Sequence, residues 1–134
     1  KTEQAMDAYQ LDGFELISGS GPTMTTILER AIEEERWIVV TGWTPHWMFA
    51  RWDLKYLNDP LNVYGDEEYI STFVRKGLAE DMPEVYAFLD NFKWSPGDME
   101  QVMLYARDED TDPYQAAQRW IEENDSLVKS WLDQ

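Results

Sequence analysis

Apolar residues recur along this chain at two different periods, and the alternation between them lays out a strand, a helix and a second strand. Phe14-Glu15-Leu16-Ile17 alternates well enough for a short strand, and Ser18-Gly19-Ser20-Gly21-Pro22 is a turn cluster leading into a helix that begins near Thr23. From Met24 onward, Ile27, Leu28, Ala31 and Ile32 keep helical spacing, while Glu29, Arg30, Glu33, Glu34 and Glu35 form the solvated face. Trp37-Ile38-Val39-Val40 then runs apolar without a break up to Thr41. That pattern predicts a strand buried on both faces, as in a parallel sheet covered by helices. Strand, helix and strand in this order make a βαβ unit with a right-handed crossover.

The flanking segments are mostly helical. Thr2 to Tyr9 reads as the tail of a helix, ended by Gly13. Pro45 to Arg51 reads as a short aromatic helix, with Thr44 as its N-cap and Pro45 at its first position; Met48, Phe49 and Trp52 pack. Leu54 to Leu57 is extended and closes at Asn58-Asp59-Pro60. Tyr69-Ile70-Ser71-Thr72-Phe73-Val74 is β-branched and aromatic, which predicts a strand. Pro83 to Phe92 is amphipathic with Val85, Tyr86, Phe88 and Leu89 inward, and Met82 is placed to staple its start. Ser95-Pro96 and Asp112-Pro113 each open a further helix. The first carries Met99, Val102, Met103 and Ala106 on its apolar stripe, and the second buries Ala116, Ala117, Trp120 and Ile121 as far as about Asn124. A last short helix holds Leu127, Val128 and Trp131. The expected fold class is α/β, one domain over residues 1–134, with a central, mostly parallel sheet flanked by helices.

Composition narrows the partners more than the fold. The 134 residues suffice for one core without staples, and 43% hydrophobic residues outweigh a net charge of −16 that would favour disorder in a chain with a thinner core. With 11 basic residues against 27 acidic ones there is no basic stripe to neutralise phosphates, so nucleic acid is not an expected partner. Absence of cysteine excludes disulfides, thiolate metal sites and cysteine nucleophiles. No apolar run is long enough for a signal peptide or a membrane span.

Catalytic constellations are scarce, and the chain is not expected to be an enzyme or to carry a cofactor. His46 is the one histidine, so neither a nucleophile–base pair nor a usual zinc site can be assembled around it. Carboxylate runs such as Glu33-Glu34-Glu35 and Asp108-Glu109-Asp110 fall on helix ends or solvated faces. Ser18-Gly19-Ser20-Gly21 lacks the lysine and the spacing of a phosphate-binding loop.

One stretch has a site-like order: strand, Gly42, Trp43, then a helix start at Thr44-Pro45. Ligands of open α/β sheets collect beyond the carboxyl ends of strands, where Trp43 stands. A quaternary ammonium has no proton to donate but is attracted to an aromatic face, most strongly to tryptophan. Trp43 is therefore either a ligand ring or a lid on the core. His46 either joins the site or packs to order the turn, and Trp47, one helical turn on, either lines the pocket edge or packs. Trp37, Trp94, Trp120 and Trp131 read as structural.

Thr41 to Pro60, Thr-Gly-Trp-Thr-Pro-His-Trp-Met-Phe-Ala-Arg-Trp-Asp-Leu-Lys-Tyr-Leu-Asn-Asp-Pro, resembles the signature stretch of glycine betaine/proline betaine-binding proteins of osmoprotectant ABC importers. Tyr9 to Ser20, Val74 to Leu78, Met82 to Trp94 and Ala116 to Asn124 agree in order. The resemblance implies one lobe of a type II periplasmic-binding-protein-like fold, with the first strand and the partner lobe absent from residues 1–134. It implies Trp43, Thr44 and His46 as ligand-binding residues, Trp43 being one ring of an aromatic cage. It further implies an ABC permease subunit as partner and an extracytoplasmic location, with any leader removed. An exposed sheet slot near Phe14–Ile17 and Ile38–Thr41 would favour self-association. The alternative is a stand-alone α/β interaction domain that kept the lobe fold without ligand binding.

Overall fold

The computed structural model describes residues 1–108 and 110–132, and these divide into two compact units. The first comprises Lys1–Trp43 and Lys55–Glu68; the second comprises Thr44–Leu54 and the chain from Tyr69 onward.

In the first unit α1 (Thr2–Ala8) and α2 (Gly21–Glu33) are the regular elements. Helix α2 begins slightly before the turn cluster was expected to end, because the Ser20 hydroxyl accepts the Thr23 N–H at 3.3 Å and caps the first turn. It stops in a Schellman arrangement. Glu35 takes a left-handed backbone (φ 52°), its N–H donates to the Ile32 carbonyl, and the Arg36 N–H donates to the Ala31 carbonyl at 2.8 Å. Ala5, Thr25, Leu28 and Ala31 are buried and Met24 and Ile27 half-buried, so the inward face of α2 follows its predicted spacing except at Ile32, which is exposed. The loop 55–68 is tied back to α1. The Tyr9 hydroxyl donates to one Asp59 carboxylate oxygen and accepts the Leu61 N–H at 2.9 Å, while the other Asp59 oxygen accepts the Tyr64 N–H at 2.8 Å.

The expected sheet is not formed among the described residues. Residues 14–17, 37–41 and 69–74 have no regular secondary structure and belong to no ladder, and no backbone hydrogen bond reaches 15–18, 37–41 or 69–74. The strand expected to be buried on both faces is also corrected: Trp37 is fully exposed and Val39 is 62% exposed, while Ile38 and Val40 are half-buried. The cause is the non-local nature of pairing. A helix finds its hydrogen-bond partners four residues away, whereas a strand needs a neighbour about 4.8 Å to its side. Here 14–17 and 37–41 line a shared cavity instead of bonding to each other.

The second unit holds α3 (Met48–Arg51), α4 (Leu78–Asp81), α5 (Pro83–Asn91), α6 (Pro96–Asp108), α7 (Pro113–Glu123) and α8 (Asp125–Leu132). Both proline-led starts are built as the sequence predicts. The Ser95 hydroxyl accepts the Asp98 N–H at 3.2 Å while the Asp98 carboxylate accepts the Ser95 N–H at 2.8 Å, and Asp112 accepts the Tyr114 N–H at 2.8 Å. The core is aromatic. Trp120 and Trp131 are buried and stacked at 6.1 Å with 13° between their planes, Trp94 meets Trp120 edge-on at 5.4 Å, and Phe92 meets Trp131 edge-on at 4.7 Å. Phe88 and Leu89 of α5 turn toward this cluster side of the helix and are half-buried, whereas Val85, Tyr86 and, on α6, Met103 stay exposed. Of the carboxylate run, Asp108 pairs with Arg51 at 2.9 Å; Glu109 lies outside the described residues.

Candidate functional site

A cavity of about 970 Å³ occupies the first unit. Phe14–Ile17 and Trp37–Thr41 run along it, α2 contributes Met24 and Ile27, and Trp43 lies at its wall. Trp43 is 49% exposed, so about half of the residue faces solvent. Its Cη2 atom approaches the first residue of α2: a Cβ added at Gly21 would sit 4.0 Å from it. That is an ordinary van der Waals separation, so the indole edge rests beside the start of α2.

The polar part of the wall combines hydrogen-bonded hydroxyls with the charged side chains of Lys1, Glu3 and Glu15. Thr41 and Thr2 share a hydroxyl hydrogen bond at 3.0 Å, and the Tyr64 hydroxyl donates to Thr2 at 3.5 Å. The Tyr64 carbonyl accepts from the Lys1 ammonium. No acid stands in the first turn of α2, so the positive end of its dipole is not neutralised from within the helix. Tyr64, Thr2 and Gly21 were not singled out from sequence. Only the glycine left a signal there, as part of a turn cluster.

Thr44 and His46 belong to the second unit, so Trp43 ends one unit and its sequence neighbours begin the next. Thr44 does not cap a helix at Pro45, as expected; α3 begins at Met48, the Thr44–Pro45 peptide is cis, and the cap position is Trp47. His46 takes over the satisfying role, its Nδ1 accepting the Met48 N–H at 3.3 Å. Partial burial lowers the His46 pKa, and the nearby Arg107 charge lowers it further. The imidazole is therefore neutral at pH 7, and with Nδ1 accepting, its proton sits on Nε2. Trp47 is half-buried under the Arg107 guanidinium, 3.5 Å from the ring centroid, which assigns it to packing.

Among the described residues no group of three or more histidine, aspartate or glutamate side chains could hold a metal ion, and no helix is long and apolar enough to cross a membrane.

Residues 1–123 match the family described as the substrate-binding domain of ABC-type glycine betaine transport systems. The chain is 50% identical over 134 residues to the glycine betaine/carnitine transport binding protein GbuC of Listeria monocytogenes, a match covering 98% of this chain and 44% of that protein. Among solved structures, lactococcal OpuAC in its closed, liganded conformation with glycine betaine superimposes with a TM-score of 0.66 at 42% identity, over 98% of this chain and 52% of that one. The glycine betaine/L-proline-binding protein ProX of Borrelia burgdorferi superimposes with a TM-score of 0.64 at 36% identity, over 99% and 51%. These neighbours are α/β binding proteins, so the course of this chain follows theirs although its ladder is not formed. The chain spans about half the length of the relatives it matches.

Proposed function

The chain belongs to the family of substrate-binding domains of ABC-type glycine betaine transport systems, and on that premise we propose that it is one lobe of a two-lobed solute-binding protein. That protein captures a quaternary ammonium compatible solute such as glycine betaine outside the cytoplasm and delivers it to an ABC permease for osmoprotection. The family binds and hands over its solute rather than transforming it.

The observation that carries the reading is Trp43, half-exposed at the wall of a cavity and within the residues that match the family. Its indole face supplies the attraction that a cation without N–H groups requires. Thr44 and neutral His46 follow it in the motif as further proposed ligand-binding residues. The cavity alone is far too large and open to enclose a solute of this size, since pockets of roughly 300–1,000 Å³ hold drug-sized ligands. A second lobe closing over Trp43 supplies the remaining rings and excludes water. Titration calorimetry of the complete protein with glycine betaine tests this: saturable binding that is abolished by Trp43→Ala is the expected result. Undiminished binding by that variant would remove Trp43 from the site.

A further inference from the structure

The segment that carries Thr44 and His46 has little structure of its own. Helix α3 spans four residues, and the backbone bonds that close it run only between His46 and Trp52, at 3.0 to 3.2 Å. A single turn does not hold itself in water, because nucleation costs more than one turn of hydrogen bonds returns. Its anchors therefore lie elsewhere in the second unit. Met48 is buried, and α3 packs on α6, whose last turn brings Arg107 against Trp47 and Asp108 against Arg51.

These contacts close into a circuit. The Arg107 guanidinium carbon lies 3.5 Å from the centroid of Trp47, the Trp47 ring stands 5.5 Å from that of Trp52, and Trp52 takes Arg51 at 5.6 Å. Arg51 Nη1 donates to both Asp108 carboxylate oxygens, at 2.9 and 3.1 Å, and Arg107 Nη1 stands 3.8 Å from the same carboxylate. Ion pairs this exposed stabilise little by themselves, so the firmer grip on the segment is the guanidinium on the indole face. His46 lies at the edge of the circuit, its ring centroid 5.2 Å from that of Trp47 with 36° between the planes. Its Nδ1 accepts the Met48 N–H at 3.3 Å, a long bond that restrains one ring atom, while the Trp47 ring limits how the imidazole turns about it. The Arg107 charge reaches His46 as well, lowering the imidazole pKa after burial, the larger cause.

We propose that Arg107 is a positioning residue for the bound solute: it clamps the Trp47 indole and, through that ring, fixes the orientation in which the His46 imidazole meets the ligand. The assignment of His46 as a ligand-binding residue, proposed above, is its premise. Arg107 acts through the two rings and not on the solute itself. A recognition group already held in its bound orientation spares the cost of ordering it when the ligand arrives, so affinity depends on the clamp as well as on the group that it holds. Arginine suits the role better than lysine, since a planar guanidinium covers the ring while its Nη1 still faces Asp108.

Titration calorimetry of the complete protein with glycine betaine tests this as a double-mutant cycle. Arg107→Ala should raise the dissociation constant roughly threefold to thirtyfold, and Arg107→Lys by a smaller factor, with circular dichroism at the titration temperature showing both variants folded. Coupling is the decisive readout. In a His46→Asn background, where the side-chain oxygen can still accept the Met48 N–H, Arg107→Ala should cost little further affinity. An arginine that only stabilised the fold would leave the dissociation constant of the folded protein unchanged, and that result overturns the proposal. So does an Arg107→Ala effect that persists in full beside His46→Asn. If Arg107→Ala does not fold, the cycle is run with Arg107→Lys and the same two results overturn it. A protein that does not bind glycine betaine, or binds it equally well after Trp43→Ala, refutes the site and the clamp with it. Loss of binding in Trp43→Ala beside an indifferent Arg107→Ala refutes the clamp alone.

Discussion

The guanidinium of Arg107, near the end of α6, lies over the indole of Trp47 just ahead of α3, with its central carbon 3.5 Å from the ring centroid. The neighbouring pair repeats the theme, Arg51 standing 5.6 Å over Trp52 while holding the Asp108 carboxylate with two hydrogen bonds from Nη1 at 2.9 and 3.1 Å. The chain thus uses the attraction between a cation and an indole for its own packing at Trp47. Trp43, four positions earlier in sequence, keeps its ring half-exposed.

Arg107→Ala should therefore weaken the second unit by about 0.5 to 2 kcal/mol without touching the first. A chemical-denaturation series on the wild type and the variant measures it. Arg107→Lys should recover only part of the loss, since an ammonium lacks the planar stacking surface of guanidinium. Full recovery by lysine would show that charge alone, not stacking, holds the ring.

The same arginine sets a pH dependence. His46 is pushed below its ordinary pKa first by partial burial and then by the Arg107 charge, so the folded chain takes up its proton at lower pH than the unfolded chain does. The contribution to stability is complete above the unfolded value near 6.5 and is lost as pH falls through the folded one. As this is the only histidine, its imidazole signals can be followed by NMR without assignment by mutation. In Arg107→Ala the midpoint should move upward, though not to the unfolded value, because burial remains the larger cause.

How far the sequence reached differs by element type, and the difference is physical. Helix starts were legible at Ser95 and Asp112 because a capping side chain bonds to an N–H two or three residues away, all within one short window, whereas Ser20, which caps α2, was read only as part of a turn cluster. The aromatic core was legible for the same reason, Trp120 and Trp131 sitting at helical spacing with apolar neighbours. The strands expected at 37–41 and 69–74 are not formed among the described residues, because pairing depends on groups far away in the chain, and no local pattern can supply them. At the site, the motif gave Trp43 a place at a cavity wall; the Thr44 cap failed because the helix begins only at Met48, whose N–H donates to His46 Nδ1.

The loop 55–68 should be anchored between two pH limits. Hydrogen bonding from Tyr9 and from the Tyr64 N–H holds the Asp59 carboxyl below its ordinary value, so its contribution is present above about pH 4 and lost as pH falls through the folded pKa. Tyr9 is raised by burial and by its bond to Asp59, so its contribution is present below about pH 10 and lost as pH rises through the folded pKa. Tyr9→Phe should release the loop. Faster hydrogen exchange at the Leu61 and Tyr64 amides, with α2 amides unchanged, is the expected signature; equal protection in the variant would mean the loop is held by other contacts.

The isolated chain should bind glycine betaine at millimolar concentrations or not detectably. A single cation–π contact to Trp43 supplies about 0.5 to 2 kcal/mol, whereas micromolar affinity needs roughly 8 kcal/mol after the losses of translational and rotational freedom are met. One half-exposed ring on an open cavity cannot close that gap. Further rings, a carboxylate partner and exclusion of water would have to come from a second lobe. Calorimetry on the 134-residue chain and on the complete protein separates the two cases. Tight binding by the 134 residues alone would sink the one-lobe reading, while a large gain on adding the remaining half, lost again in Trp43→Ala, is the outcome that the magnitudes require.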